Sequence, residues 1–329
     1  AYGAQDVYLT GNPQITFFKV VYRRHTNFAT EAIEQTMNGT VATNGRTTVT
    51  IARNGDLVGR VYVQEKLASN VGINDPVAEL DNVELEIGGQ LIDRHYGHWM
   101  ETWYELTENK TGRGLGTLFQ EMSGCGQGVD ASNDGTAMAN SDTDTSVVFF
   151  RASDMDSQTV TVPLTFSFCR NPGLAIPLIA LQYHEVKLNF RWGTVASSEH
   201  KVFCDYHYLD TDERRRFAQV SHEYLIEQVQ FQDSASTTSH ELNFNHPVKE
   251  LVWTGGWSSG QIAGLRALTD TVTLKLNGHD RFSARPMTYF SRTQVWQHHS
   301  GEGGLVDNSI AVYSFALKPE EHQPSGTCN

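Results

Sequence analysis

At 329 residues the chain is long for one domain, and two domains are expected. It carries 25 Lys and Arg against 38 Asp and Glu, a formal net charge of −13, which argues against the concentrated basic face of a nucleic-acid binder. No apolar stretch approaches the roughly 18–20 residues that span a bilayer, no apolar run follows a basic start as in a signal peptide, and the four cysteines lack C-x-x-C spacing.

Taken in chain order, strand signals dominate. Gly11-Asn12-Pro13 is a turn, and Gln14–Tyr22 reads as a strand with an aromatic face, ending in the cationic run Arg23-Arg24-His25. Val49–Arg53 lies between the turn pairs Asn44-Gly45 and Asn54-Gly55. Gly59–Val63 and Val83–Ile87 alternate apolar with polar, the period of a half-buried strand. The aromatic-rich stretch His95–Leu106 is the first helical segment. Residues 107–159 then hold many Gly, Ser and Asp, a composition that makes little core and predicts a long exposed loop. Further strands are expected at Val160–Phe168, Glu185–Trp192, Val202–Asp210, Leu225–Phe231, Lys249–Trp253, Val272–Leu276 and Ile310–Leu317, with a second short helix at Ser291–His299. Many short strands bounded by turn residues indicate an all-β sandwich class, not a βαβ sheet.

The chain also repeats. Val83-Glu-Leu-Glu-Ile-Gly-Gly89 aligns with Val272-Thr-Leu-Lys-Leu-Asn-Gly278, an offset of 272 − 83 = 189. A looser pair, Leu164–Pro172 with Ala311–Pro319, gives 319 − 172 = 147, so the first copy holds 189 − 147 = 42 residues more, within 107–159. The second offset sets Asn329 against position 182, before the first copy's strands at Tyr183–Trp192 and Val202–Asp210. The second sandwich is therefore expected to be incomplete at its C-terminus.

Chemical motifs are sparse. His95, His98 and Glu101 would share one face of a helix, a loose metal-ligand spacing, but the interleaved Tyr96, Trp99, Trp103 and Tyr104 favour packing. The tract 112–128 lacks a phosphate-loop Gly-Lys-Ser/Thr, and the Asp130–Gly135 start of a calcium loop reaches Ser141 where a Glu is required. No Gly-x-Ser-x-Gly elbow or supported Cys/His pair is present, so neither enzyme activity nor a cofactor is expected. Asn38 and Asn109 begin Asn-x-Thr sequons, which leaves glycosylation open at both.

The segment Gly3–Ala29, containing Gly11-Asn-Pro-Gln-Ile-Thr-Phe-Phe-Lys19, resembles the opening of the major capsid proteins of nucleocytoplasmic large DNA viruses. Gly88–Glu105, Asn171–Leu178 with Tyr183–Val186, His246–Trp253 and Tyr313–Asn329 extend the resemblance over the whole chain. It implies two tandem jelly-roll β-sandwiches, a double jelly roll, divided here as 1–213 and 214–329, with 107–159 an outward loop of the first. It further implies a homotrimeric, pseudo-hexagonal capsomer that tiles an icosahedral shell, assembled in the host cytoplasm. Its partners would be further copies, neighbouring capsomers and minor capsid proteins, with no direct nucleic-acid contact and no membrane insertion. Tyr22, Arg23, Arg24, His25 and Phe28 are expected at a subunit or domain interface. The competing readings are a minor capsid or penton component and a carbohydrate-binding or carbohydrate-active double sandwich. The 189-residue repeat disfavours a penton built on one jelly roll.

Overall fold

The computed structural model describes residues 5–20, 22–66, 79–108, 118–123, 159–233, 239–255, 257–258, 261–262, 270–301, 310–323 and 325–328. Strands of the first sandwich are β1 (Phe28–Gln35), β2 (Met37–Asn38), β3 (Arg46–Thr50), β4 (Leu57–Lys66), β5 (Leu80–Ile87), β6 (Gln90–Tyr96), β7 (Thr159–Pro163), β8 (Ile176–Pro177), β9 (Val186–Trp192) and β10 (Glu199–Leu209). One sheet runs β1-β10-β4-β7 with β8 beside β4, and the other runs β2-β3-β9-β5-β6, all antiparallel. Numbering its eight longer strands one to eight, the sheets read 1-8-3-6 and 2-7-4-5. That is the jelly-roll order, in which the first and last strands are neighbours.

Alternation builds the core. Val186, Leu188, Phe190 and Trp192 of β9 all point inward, as do Val61 and Val63 of β4 and Val202, Cys204 and Tyr206 of β10. The two inner faces interdigitate into one apolar layer, completed by Val83, Leu85, Val160 and Val162. Two polar groups drawn inside are bonded: Trp192 Nε1 donates to Thr47 Oγ1 at 2.9 Å, and the Tyr206 hydroxyl donates to the Ala52 carbonyl at 2.6 Å.

Beyond a linking helix, Thr211–Gln219, the second unit pairs β11 (Glu250–Thr254) with Ile310–Ser314 around Val252, Val295, Ile310 and Val312. The repeat is visible in its turns. Gly88 and Gly89 take φ of +61° and +83° between the paired Ile87 and Gln90. Asn277 and Gly278 take +52° and +79° between Leu276 and His279. Positive φ at both central residues is the hairpin turn that follows strand twist, and glycine or asparagine adopts it at least cost.

Several sequence expectations are corrected. β7 stops at Pro163, because Leu164–Phe166 leave the ladder and Ser167–Arg170 wind into a helical turn. Leu251 then faces Tyr313 where Tyr62 faces Pro163, an offset of 313 − 163 = 150 when 251 − 62 = 189, not 147. Leu225–Phe231 is extended but joins no ladder. Its neighbour is reached through side-chain amides, Gln230 Oε1 accepting from Asn245 N at 2.9 Å and Gln232 Nε2 donating to the Glu241 carbonyl at 2.6 Å. The described residues of Gln14–Tyr22 likewise form no strand, with Ile15, Phe17, Phe18 and Val20 all exposed. The short helix expected at Ser291–His299 is a π-turn, Tyr289–Thr293, running into Gln294–His298. The 107–159 loop falls almost entirely outside the described residues.

Candidate assembly surfaces

Two features of the molecule could organise an assembly: the seam between the two units and the arm that precedes β1. The seam begins at the helix Gly97–Thr107, which follows β6 and drives Met100 and Leu106 inward. Leu106 packs into the second unit's cluster with Val295 and Ile310, and its carbonyl accepts from Gly301 N at 2.7 Å. A Cβ on Gly301 would sit 2.5 Å from the Glu105 carbonyl oxygen and 2.6 Å from that of Leu106, so only glycine allows this approach.

Charges close the same seam. Glu227 accepts from Arg170 Nη2 at 2.6 Å and from Lys249 Nζ at 2.5 Å, bridging the first sandwich to the residue before β11. Arg170 also stacks over the Trp103 ring at 4.4 Å. Val229 N donates to Asp93 Oδ1 at 3.2 Å, Gln228 donates to the Ile92 carbonyl, and Phe231 packs on Tyr96 and His98. Residues 227–231 therefore lie along the outer edge of β6. In the second unit the His299 side chain is buried, its Nε2 3.0 Å from Glu250 Oε2 and its Nδ1 3.0 Å from Glu320 Oε1. Burial alone would lower its pKa, but the two carboxylates outweigh burial and push it up to about 9.

The arm is the opposite case. Phe18 is 99% exposed, Tyr22 88% and Phe28 64%, and Arg23, Arg24 and His25 are also exposed. The cationic run bonds locally, His25 Nδ1 to the Thr26 carbonyl at 2.8 Å. Within one chain the described side chains ahead of Phe28 face solvent, while Phe28 opens β1 opposite Leu209.

The supposed His95, His98, Glu101 face does not form. His95 belongs to β6, where its ring stacks on Phe166 and meets Thr165 Oγ1 and Asp93 Oδ2, each at 2.8 Å. This threonine–histidine–aspartate relay resembles a catalytic one, but Thr165 and His95 are buried in the core, where they tie β6 to the segment after β7. His98 lies on the helix, its pKa lowered by burial. Among the described residues the one grouping with metal-ligand geometry is Glu65, Glu79 and His200, which no local motif announced. Asn38 is exposed on β2, and Asn109 lies outside the described residues. Arg214 of the Arg214–Arg216 run is engaged by Asp56 at 2.8 Å.

Residues 16–220 match the family described as major capsid protein N-terminus, and residues 213–259 and 259–329 match that described as large eukaryotic DNA virus major capsid protein. The chain is 46% identical to the major capsid protein of Pyramimonas orientalis virus, over 100% of this chain and 87% of that protein. It is 40% identical to that of Paramecium bursaria Chlorella virus 1, over 100% of this chain and 83% of its relative. The chain belongs to the major capsid protein family of large eukaryotic DNA viruses.

The solved structures agree. The crystal structure of PBCV-1 VP54, fitted into a reconstruction of the virophage Sputnik, superposes with a TM-score of 0.73 at 35% identity, covering 95% of this chain and 84% of that one. The Faustovirus major capsid protein gives 0.64 at 11% identity over 100% of this chain and 88% of its own, a likeness of fold alone. The fold is thus the double jelly roll, and this major capsid protein is a structural component of the virion's capsid shell. The arm's aromatics and cations stand out in the sequence, but the seam does not, since Arg170, Glu227 and Lys249 are separated by 57 and 22 residues. The one available signal was glycine at 301, indistinguishable in sequence from its neighbours Gly303 and Gly304.

Proposed function

We propose that three copies of this chain form a pseudo-hexagonal capsomer, in which six sandwiches surround a ring and the arm before β1 reaches a neighbouring subunit. The observation that carries this is the arm's composition against its exposure: Ile15, Phe17, Phe18, Val20 and Tyr22 face solvent in the single chain, followed by Arg23, Arg24 and His25. A row of apolar side chains of this length marks a surface meant for burial against protein. The adjoining cations suit an acidic partner, and a second copy carries a net charge of −13. Tyr22 to Phe28 is therefore assigned to the contact between subunits.

The remaining assignments follow from the same reading. The division at 213/214 falls inside the helix Thr211–Gln219, which serves as the linker between the sandwiches. The protein acts as a scaffold and not as an enzyme; its contacts are with other capsomers and minor capsid proteins, with neither nucleic acid nor membrane bound directly, and it assembles in the host cytoplasm. Asn38, exposed on β2, is open to glycosylation.

Light scattering of the purified chain is expected to give a trimer, seen as hexagonal outlines in negative stain. The double variant Arg23→Glu, Arg24→Glu should shift it to monomer with its β-rich circular dichroism retained. A fully trimeric double variant would overturn the role of the arm, and a monomeric wild type that binds or cleaves glycans would overturn the capsomer.

A further inference from the structure

The alternation that buries Val61 and Val63 on β4 carries on to Glu65, and that which buries Val202, Cys204 and Tyr206 on β10 starts at His200. The two residues face each other directly in the β10–β4 ladder. An apolar cross-strand pair would fill this position at no electrostatic cost; here a carboxylate and an imidazole occupy it. The third member, Glu79, precedes β5 and arrives from the opposite sheet. Glu65 and Glu79 are both buried, and the His200 side chain is 4% exposed.

Glu79 is held in a fixed orientation. Its Oε1 accepts from Ala196 N at 2.9 Å, Ser197 N at 2.9 Å and Ser197 Oγ at 3.0 Å, which turns Oε2 toward His200 Nε2 at 3.1 Å. Burial favours its neutral form, but these donors prevail and hold its pKa below the ordinary carboxylate value. Glu65 Oε2 lies 4.0 Å from His200 Nε2 and 3.3 Å from Ser197 Oγ. The ligand atoms of all three residues fall within 4.8 Å of one another. An ion held tetrahedrally about 2.1 Å from each donor would separate donors by about 3.4 Å, between the 3.1 Å and 4.0 Å that separate the two carboxylates from His200 Nε2.

Charge points the same way: a divalent ion matches the two buried carboxylates, with an imidazole nitrogen as the third ligand. An imidazole nitrogen beside two carboxylate oxygens suits a borderline ion of the zinc class better than calcium or magnesium, which favour all-oxygen shells. The Ser197 hydroxyl already bonded to both carboxylates orients them from the second shell, and the Trp192 ring packs edge-on at 4.8 Å from the imidazole.

We propose that Glu65, Glu79 and His200 bind a divalent ion of the zinc class, which clamps the two sheets of the first jelly roll together at the end where β4 and β10 run out. The full chain, stripped with a chelator and titrated with zinc sulfate, should retain about one zinc per chain by elemental analysis. Its melting temperature should climb steadily with the logarithm of zinc concentration. His200→Gln and Glu65→Gln should bind zinc at least about tenfold more weakly. A stripped wild type whose melting point ignores zinc would overturn the site and leave His200 as a hydrogen-bond partner of Glu79. So would a His200→Gln variant that binds zinc as tightly as wild type. Should the variants fail to fold, cobalt substitution of the wild type decides: weak visible bands from nitrogen and oxygen ligands support the site, while intense thiolate charge-transfer bands would move the metal to the cysteines and refute it.

Discussion

Raising the pH from 6 to 10 should remove one identifiable support of the second unit, the imidazolium of His299. Its ring is fully buried, with Glu250 and Glu320 each 3.0 Å from a ring nitrogen. Burial disfavours its charge, yet the two carboxylates push its pKa from the ordinary 6.5 up to about 9. At about 1.36 kcal/mol per pKa unit, the difference of 9 − 6.5 = 2.5 corresponds to about 3 kcal/mol. A histidine with a raised pKa gives stability that is fully present below pH 6.5 and lost as pH passes through about 9. Glu320 acts in the other direction. Burial would raise its pKa, but His299 and Ser300 lower it, so its share is present above the ordinary carboxylate pKa and lost on acidification. Urea unfolding followed at the second unit should therefore show a midpoint that declines between pH 7 and 9.5. His299→Gln should lower the unfolding free energy by about 3 kcal/mol at pH 7 and flatten the alkaline decline, since it leaves two partly buried carboxylates without their cation. A variant with the wild-type slope across this range would refute the assignment.

Other perturbations test the seam and the core. Gly301→Ala forces a methyl within 2.6 Å of the Leu106 carbonyl and should cost about 1–3 kcal/mol, read as earlier release of the second unit in limited proteolysis. Leu188→Ala, at a fully buried β9 position, should cost about 2–5 kcal/mol in thermal unfolding of the first sandwich. Burial pushes the Cys169 thiol up to about 12 and that of Cys204 higher still, so iodoacetamide should label both slowly in the native protein and rapidly in urea. Fast native labelling at either position would contradict their burial.

Strands that alternate cleanly were legible from sequence. Val186, Leu188, Phe190 and Trp192 mark β9 without help, and the paired turns at Gly88-Gly89 and Asn277-Gly278 exposed the repeat because few residues tolerate positive φ. β1 was not legible: Phe28–Gln35 presents mostly exposed side chains, so its membership in the sheet is set by its ladder with β10 and not by its own pattern. Leu225–Phe231 failed in the opposite sense, since its apolar pattern suggests a strand while glutamine side chains take the role of ladder bonds. Electrostatic groupings were the least visible. His299 meets carboxylates 49 and 21 residues away, and Glu65 meets His200 across 135, separations that only the completed topology brings together. Of the candidate assembly surfaces, the arm stands out through consecutive aromatics and cations, whereas each seam residue looks like an ordinary surface charge until its partner is placed.

The pairing of β1 with β10 has a mechanical consequence. Phe28 lies opposite Leu209, so the arm enters and the linking helix leaves from the same end of that ladder. A force drawing the arm away from the linker would meet the hydrogen bonds from Phe28–Leu209 to Gln35–Val202 in succession, like the teeth of a zip. Pulled from opposite ends, the same bonds would share the load and yield together. A shell whose subunits are tied through such arms would part at low tension one rung at a time, and could close again along the same track when the tension is released.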